Sequence, residues 1–204
     1  MEPMTAAQRR IHEAALKLFA EKGIGEVNVS ALAEAAGVAR GTIYNNLDSI
    51  ESLFEKVAKE LSEEMIVRVA LSLPADVEPA QRLATGIRFY IRRAHDEPSW
   101  GRFLVRYGFS SEALRSMWSG QPLADLQDGL QRGAYDFEPE QATSVLALIA
   151  GGVLTAMILV QEGRKTWRDA GSDVAEMLLR AVGVESRQAQ SLARDELPAL
   201  VEAA

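Results

Sequence analysis

Residues 28–54 read NVSALAEAAGVARGTIYNNLDSIESLF, and the spacing within this stretch decides the fold. Asn28 is a favourable N-cap, because its side-chain oxygen can accept from an otherwise unpaired N–H of the first turn. Leu32, Ala33 and Ala36 then fall on one helical face, and Gly37 supplies the left-handed stop. A third short helix begins near Arg40 and buries Ile43 and Leu47, one turn apart. Ala33 is small enough to let that helix approach the second, and Val38 and Ile43 fill the crevice between them. Two short helices joined by a tight turn make a helix-turn-helix. The free face of its second helix carries Arg40, Thr42, Tyr44, Asn45 and Asn46. These residue types reach phosphates and base edges.

Helical signals continue on both sides. Upstream, Thr5 and Gln8 have the spacing of a capping box. Ile11, Ala14, Ala15, Leu18 and Phe19 form one apolar face that ends at Lys22 and Gly23. Downstream, Asp48 or Ser49 caps a long fourth helix with the stripe Ile50, Leu53, Phe54, Val57, Ala58, Leu61 and Met65. Residues 74–79 read as a connection. Helices are then expected over about 79–96, 99–108, 110–118, 122–132, 139–163 and 172–183, with a short one within 184–204. No segment has the period of a strand, so the fold class is all-α.

The charge balance limits how such a reader can work. The chain has 204 residues and a formal net charge of −7. Residues 1–50 carry five cations against six carboxylates, a net of −1. A general polyanion binder is therefore disfavoured, and affinity for DNA has to come from placement of side chains. The chain has no cysteine, which removes disulfides, thiolate catalysis and Cys-ligated metals. The N-terminal segment lacks the uninterrupted apolar run of a signal peptide, which suits a cytoplasmic protein.

At AALKLFAEKG (14–23), VSALAEAAGVARGTIYNNL (29–47) and ESLF (51–54) the sequence resembles the TetR family of bacterial transcriptional regulators. The likeness is specific across residues 5–65 and architectural beyond them. It implies an N-terminal three-helix DNA-binding domain, residues 1–50, with its helix-turn-helix at 28–47. A long fourth helix joins this to a helical ligand-binding and dimerisation domain, residues 51–204. The resemblance places Arg40, Gly41, Thr42, Asn45 and Asn46 at recognition-helix positions and Tyr44 at an aromatic that meets a phosphate. It also implies that Ser30 faces DNA. Arg9 and Arg10 are further candidates for DNA contact. Two positions depart from the family pattern. Leu47 stands where Phe is common, and Ile50 stands where a phosphate-seeking Lys is common.

The uncharged run at 143–160, TSVLALIAGGVLTAMILV, approaches the length of a membrane span. Thr143, Ser144, Gly151, Gly152 and Thr155 dilute it, and Glu138 and Glu140 flank it instead of basic residues. A helix apolar all round is equally a helix buried in protein. The resemblance implies that this helix and the one at 172–183 pair with their copies in a homodimer, with no membrane. Leu148, Gly151, Gly152, Thr155, Leu159, Met177 and Leu178 are the candidate dimer contacts. A two-fold dimer implies a palindromic double-stranded DNA operator.

Residues 75–137 hold most of the large aromatics, among them Phe89, Tyr90, Trp100, Phe103, Tyr107, Trp118 and Tyr135. The resemblance implies a small-molecule effector, and these aromatics suit a largely apolar one. Phe89, Arg93, Trp100, Phe103, Tyr107 and Trp118 are the candidate lining. Two histidines, His12 and His95, have no second His at ligand spacing. Neither a G-x-S-x-G elbow nor a phosphate loop is present. No catalytic residue, cofactor or metal is expected. The resulting expectation is a ligand-released regulator, in the family's usual mode a repressor. The alternative is a helical dimeric interaction module that does not read DNA.

Overall fold

The structure, a computed structural model, describes residues 4–74 and 76–202, and Ala75 in the expected 74–79 connection lies outside them. Among the described residues there are eleven α-helices and no strand. The first four are α1 (Ala6–Lys22), α2 (Val29–Ala36), α3 (Arg40–Tyr44) and α4 (Ile50–Leu71). Their ends follow the sequence signals. The Thr5 and Gln8 side chains each accept from the other's backbone N–H, at 3.2 and 2.8 Å. Asn28 accepts from Ala31 N at 3.0 Å, and Ser49 (not Asp48) accepts from Ser52 N at 3.0 Å. Gly37 has φ +62°, a conformation that costs a side-chain-bearing residue free energy.

The larger part of the chain supplies α5 (Pro79–Asp96), α6 (Pro98–Tyr107), α7 (Glu112–Ser119), α8 (Gln121–Gln131), α9 (Ala142–Gln161), α10 (Trp167–Ala181) and α11 (Ser186–Arg194). Most lie within a few residues of the expected spans. The exception is α10, which begins five residues earlier than its apolar stripe suggested. Thr166 caps it by accepting from Asp169 N at 3.1 Å. In the added stretch, 167–171, Ala170 is buried and Trp167 packs against the core, but Arg168, Asp169 and Gly171 interrupt the apolar pattern. Gly171 instead lets α5 come close: a Cβ there would meet Arg88 Cγ at 3.4 Å.

One hydrophobic core runs from α1 to α11. At its upper end an aromatic cluster ties the first helices to the rest. Phe19 of α1 meets Phe54 of α4 edge-on, with ring centroids 5.5 Å apart. Phe54 in turn lies 5.4 Å from Phe103 and 4.8 Å from Tyr107, both of α6. Such pairs add about 1 kcal/mol each beyond area burial. α9 is long and apolar enough to cross a membrane by length and composition. In this fold it is a central helix: Leu146, Ile149, Ala150, Val153, Leu154, Met157 and Val160 are buried, and it packs on α5, α6, α8 and α10.

Candidate DNA-reading surface and effector cavity

The helix-turn-helix is built around Ile43, which is fully buried and anchors α3 to Leu32 and Ala33 of α2 within the common core. Val38 N donates to the Ala33 carbonyl at 3.0 Å, which closes the turn. With Ile43 facing inward, its neighbours on α3 face out. Tyr44 is 68% exposed, and Arg40, Gly41 and Asn45 are exposed as well. The side chains of Arg40, Tyr44 and Asn45 make no hydrogen bond or ion pair among the described residues, so their polar groups are free for a partner. Asn46 differs. It is half-buried, and its Nδ2 donates to the Thr42 carbonyl at 2.7 Å, which caps the short helix. Thr42 and Ser30 are half-buried, while Arg9 and Arg10 are exposed on α1. Ile50 is half-buried against the core, as is Leu47. The residue at 50 therefore packs α4 and offers no cation to a phosphate.

Contacts from α4 and α6 hold this reader. His12 Nδ1 and Glu60 Oε2 are 2.7 Å apart, between α1 and α4. At the C-terminus of α1, Arg106 donates to the carbonyls of Phe19 (3.3 Å) and Ala20 (3.2 Å). The Tyr107 hydroxyl donates to the Phe19 carbonyl at 3.3 Å and accepts from Ile24 N at 2.9 Å. α6 thereby satisfies backbone groups that the end of α1 leaves unpaired.

A cavity of about 380 Å³ lies between the C-terminal half of α4 and helices α5, α7, α8 and α9. Its walls are mostly apolar: Ile66 and Val69 of α4, Leu73 just beyond its end, Leu83 and Ile87 of α5, Met117 of α7, Leu146, Ile149 and Val153 of α9. Trp118, Tyr90 and Tyr135 add aromatic surface. The polar lining is Gln121 with Arg82 and Asp125, which form an ion pair 3.6 Å apart. Burial pushes the phenols of Tyr90 and Tyr135 well above the usual tyrosine range.

Of the six residues expected to line a pocket, only Trp118 does. Phe89 is fully buried in the core away from it. Phe103 and Tyr107 belong to the aromatic cluster under α1. Trp100 is fully buried, with the Arg93 guanidinium 4.6 Å above its ring. Arg93 is the centre of an ion cluster, held by Glu64 at 2.9 Å and Glu97 at 3.0 Å. The amphipathic spacing of α5 and α6 gave no sign of which aromatics meet a void, because a void is defined by several helices at once. Tyr90 and Tyr135 stood among the sequence's aromatics without being singled out.

The expected dimer contacts divide as well. Leu148 is 54% exposed and Met177 66% exposed. Thr155 is exposed, Gly151, Gly152 and Leu159 are half-buried, and all lie along α9. Leu178 is turned inward and buried. A Cβ on Gly152 would stand 3.5 Å from it, in ordinary contact, so this position faces α10 of the same chain. Nothing lies within 4 Å of a Cβ on Gly151.

Two family profiles match. Residues 11–57 match "Bacterial regulatory proteins, tetR family", and residues 78–195 match "Tetracyclin repressor-like, C-terminal domain". An uncharacterized HTH-type transcriptional regulator of Mycobacterium tuberculosis is 33% identical over 97 residues, 46% of each chain. The match thus spans just under half the length of that relative. The HTH-type transcriptional repressor KstR2 of Rhodococcus jostii is 29% identical over 140 residues, 61% of this chain and 67% of that one. Among solved structures, RolR in complex with its ligand resorcinol superposes with a TM-score of 0.69 at 24% identity, covering 96% of both chains. A TetR-like transcriptional regulator from Rhodococcus sp. RHA1 gives 0.72 at 14% identity, over 91% of this chain and all of that one. These two likenesses bear on the fold.

Proposed function

The chain belongs to the TetR family of bacterial regulatory proteins, and we propose that it is a ligand-responsive transcriptional repressor that binds a palindromic operator as a cytoplasmic homodimer. The observation that carries this reading is the pairing of a fully buried Ile43 with exposed, unpartnered Arg40, Tyr44 and Asn45 on the same short helix. Exposed polar side chains are ordinary on a surface helix; here they lie on the second helix of a helix-turn-helix within the stretch that matches the family's DNA-binding domain. Arg40 and Asn45 read base edges, Tyr44 meets a phosphate, and Gly41, Thr42, Ser30 and Asn46 shape the approach. Arg9 and Arg10 add backbone contacts. Residues 1–50 form the reading unit, and residues 51–204 the effector and dimer unit.

The exposed Leu148 and Met177 support a dimer through α9 and α10, because burying them against a second copy removes apolar surface from water. The cavity beside the C-terminal half of α4 supports an effector site. α4 starts next to the reader and ends in the cavity wall, so a ligand that prefers one tilt of α4 biases the spacing of two readers. It can do so only by its differential affinity for the two states. The repressor sense is supported by KstR2, a named repressor. That TetR regulators are not an enzyme family supports the absence of catalysis.

The test is selection of DNA fragments by the purified protein, followed by titration at several salt concentrations. The expected result is two inverted half-sites one helical turn apart, with affinity falling steeply as salt rises. A stable dimer that selects no sequence and shifts no DNA at low salt would favour the interaction-module reading. The apolar packing of Ile50, which leaves that phosphate contact unmade, is the observation on its side.

A further inference from the structure

We propose that the cavity between α4, α5, α7, α8 and α9 takes a neutral, largely hydrophobic molecule bearing one or two hydroxyl or carbonyl oxygens, bound by the phenol groups of Tyr90 and Tyr135. This rests on the reading of that cavity as the effector site and adds the chemistry of the ligand. Tyr90 and Tyr135 are 8% and 6% exposed, and both line the cavity. Neither hydroxyl has a hydrogen-bond partner among the described residues, and neither oxygen is fully enclosed by protein, as suits groups that line a cavity. A ligand oxygen in this space would supply the missing acceptor or donor. Tyr90 sits between Trp100 and Trp118 in tilted contacts, with centroids at 6.0 and 5.3 Å, so its ring cannot swing away to find another partner without losing them. Tyr135 is fixed against Phe137 at 6.2 Å, and its edge fills the space that a Cβ on Gly129 would need.

Charge selects the neutral class. Among the described lining residues the cation is Arg82, which is paired with Asp125, and Asp125 also accepts from Gln121 at 2.8 Å. A carboxylate ligand entering here would be stripped of water with no free cation to meet it, and an ammonium would find Asp125 already paired. Burial also holds both phenols in their protonated form, so they can donate to a ligand oxygen. The remaining lining is aliphatic or aromatic and rewards a hydrocarbon body.

The experiment is calorimetric titration of the full-length protein, near neutral pH, with three matched probes: 2-naphthol, naphthalene and 2-naphthoate. 2-Naphthol is expected to bind about fivefold more tightly than naphthalene for each hydrogen bond formed, and 2-naphthoate least tightly. Tyr90→Phe and Tyr135→Phe should each reduce the advantage of 2-naphthol about fivefold while leaving naphthalene affinity unchanged. Retained naphthalene binding shows that a variant is folded. Equal affinity for naphthol and naphthalene, tightest binding of naphthoate, or Tyr→Phe variants with undiminished naphthol preference would each overturn the ligand class while leaving the cavity a binding site. Failure of all three probes to bind would overturn the effector-site reading itself.

Discussion

Arg93 provides a sharp test, because its sequence position suggested a ligand contact and its surroundings give it a different role. Its side chain is 4% exposed. Nη2 donates to both oxygens of Glu64 (3.1 and 2.9 Å) and to Glu97 Oε2 (3.1 Å), while Nε donates to Glu97 Oε1 (3.0 Å). Arg93→Met keeps much of the volume and removes the charge. Glu64 and Glu97 would then share only Arg68, at 3.1 and 3.4 Å. Stripping one partner from a fully buried ion pair costs about 3–5 kcal/mol. Here the stranded carboxylates are 34% and 44% exposed, and water recovers part of the loss. The expected cost is therefore roughly 2–3 kcal/mol after solvent screening. In a chain of this size that lowers the melting temperature by about 4–12 °C. The double variant Arg93→Met/Glu64→Gln removes one stranded charge and should recover about 1 kcal/mol of the loss. Thermal melting followed by helical circular dichroism reads both. A single variant that melts within about 2 °C of the parent, or a double variant less stable than the single, would refute the cluster's structural role. Unchanged melting with loss of 2-naphthol binding would return Arg93 to the ligand site.

Three other perturbations probe separate parts of the molecule. Arg40→Ala or Asn45→Ala should cost about 1–3 kcal/mol on the selected operator and relax its sequence preference, whereas Tyr44→Phe should weaken all DNA alike; equal losses on operator and random DNA for Arg40→Ala would make Arg40 a phosphate contact. Tyr107→Phe leaves Ile24 N–H without its acceptor and should cost about 1–2 kcal/mol, with faster amide exchange at Ile24 and the end of α1; unchanged exchange there would show that α6 does not hold α1. Leu148→Asp combined with Met177→Asp places charges on the exposed apolar face and should convert the dimer to monomers in analytical ultracentrifugation, with helical content unchanged; a persistent dimer would move the interface elsewhere.

What the sequence determined by itself was local. Capping at Thr5, Asn28 and Ser49, the left-handed stop at Gly37 and the inward Ile43 are set by interactions within a few residues, and each is readable from spacing. The exposed face of α3 followed, because once Ile43 is buried the helical period turns its neighbours outward. The same logic identified α9 as a helix apolar on nearly every side and Ile50 as part of a packing stripe. It failed at α10, where Arg168, Asp169 and Gly171 interrupt the apolar pattern and the Thr166 cap marks the start. Tertiary structure decided everything that depends on several helices at once. It drew Arg93 into an ion cluster with a carboxylate 29 residues away, turned Leu178 inward against α9 and sent Phe103 and Tyr107 to the joint with α1. It also assembled the cavity from five helices and left the Tyr90 and Tyr135 hydroxyls without hydrogen-bond partners among the described residues. Helical periodicity tells which face of an element is buried. Which neighbour that face meets, and where packing leaves a space, is a property of the assembled helices.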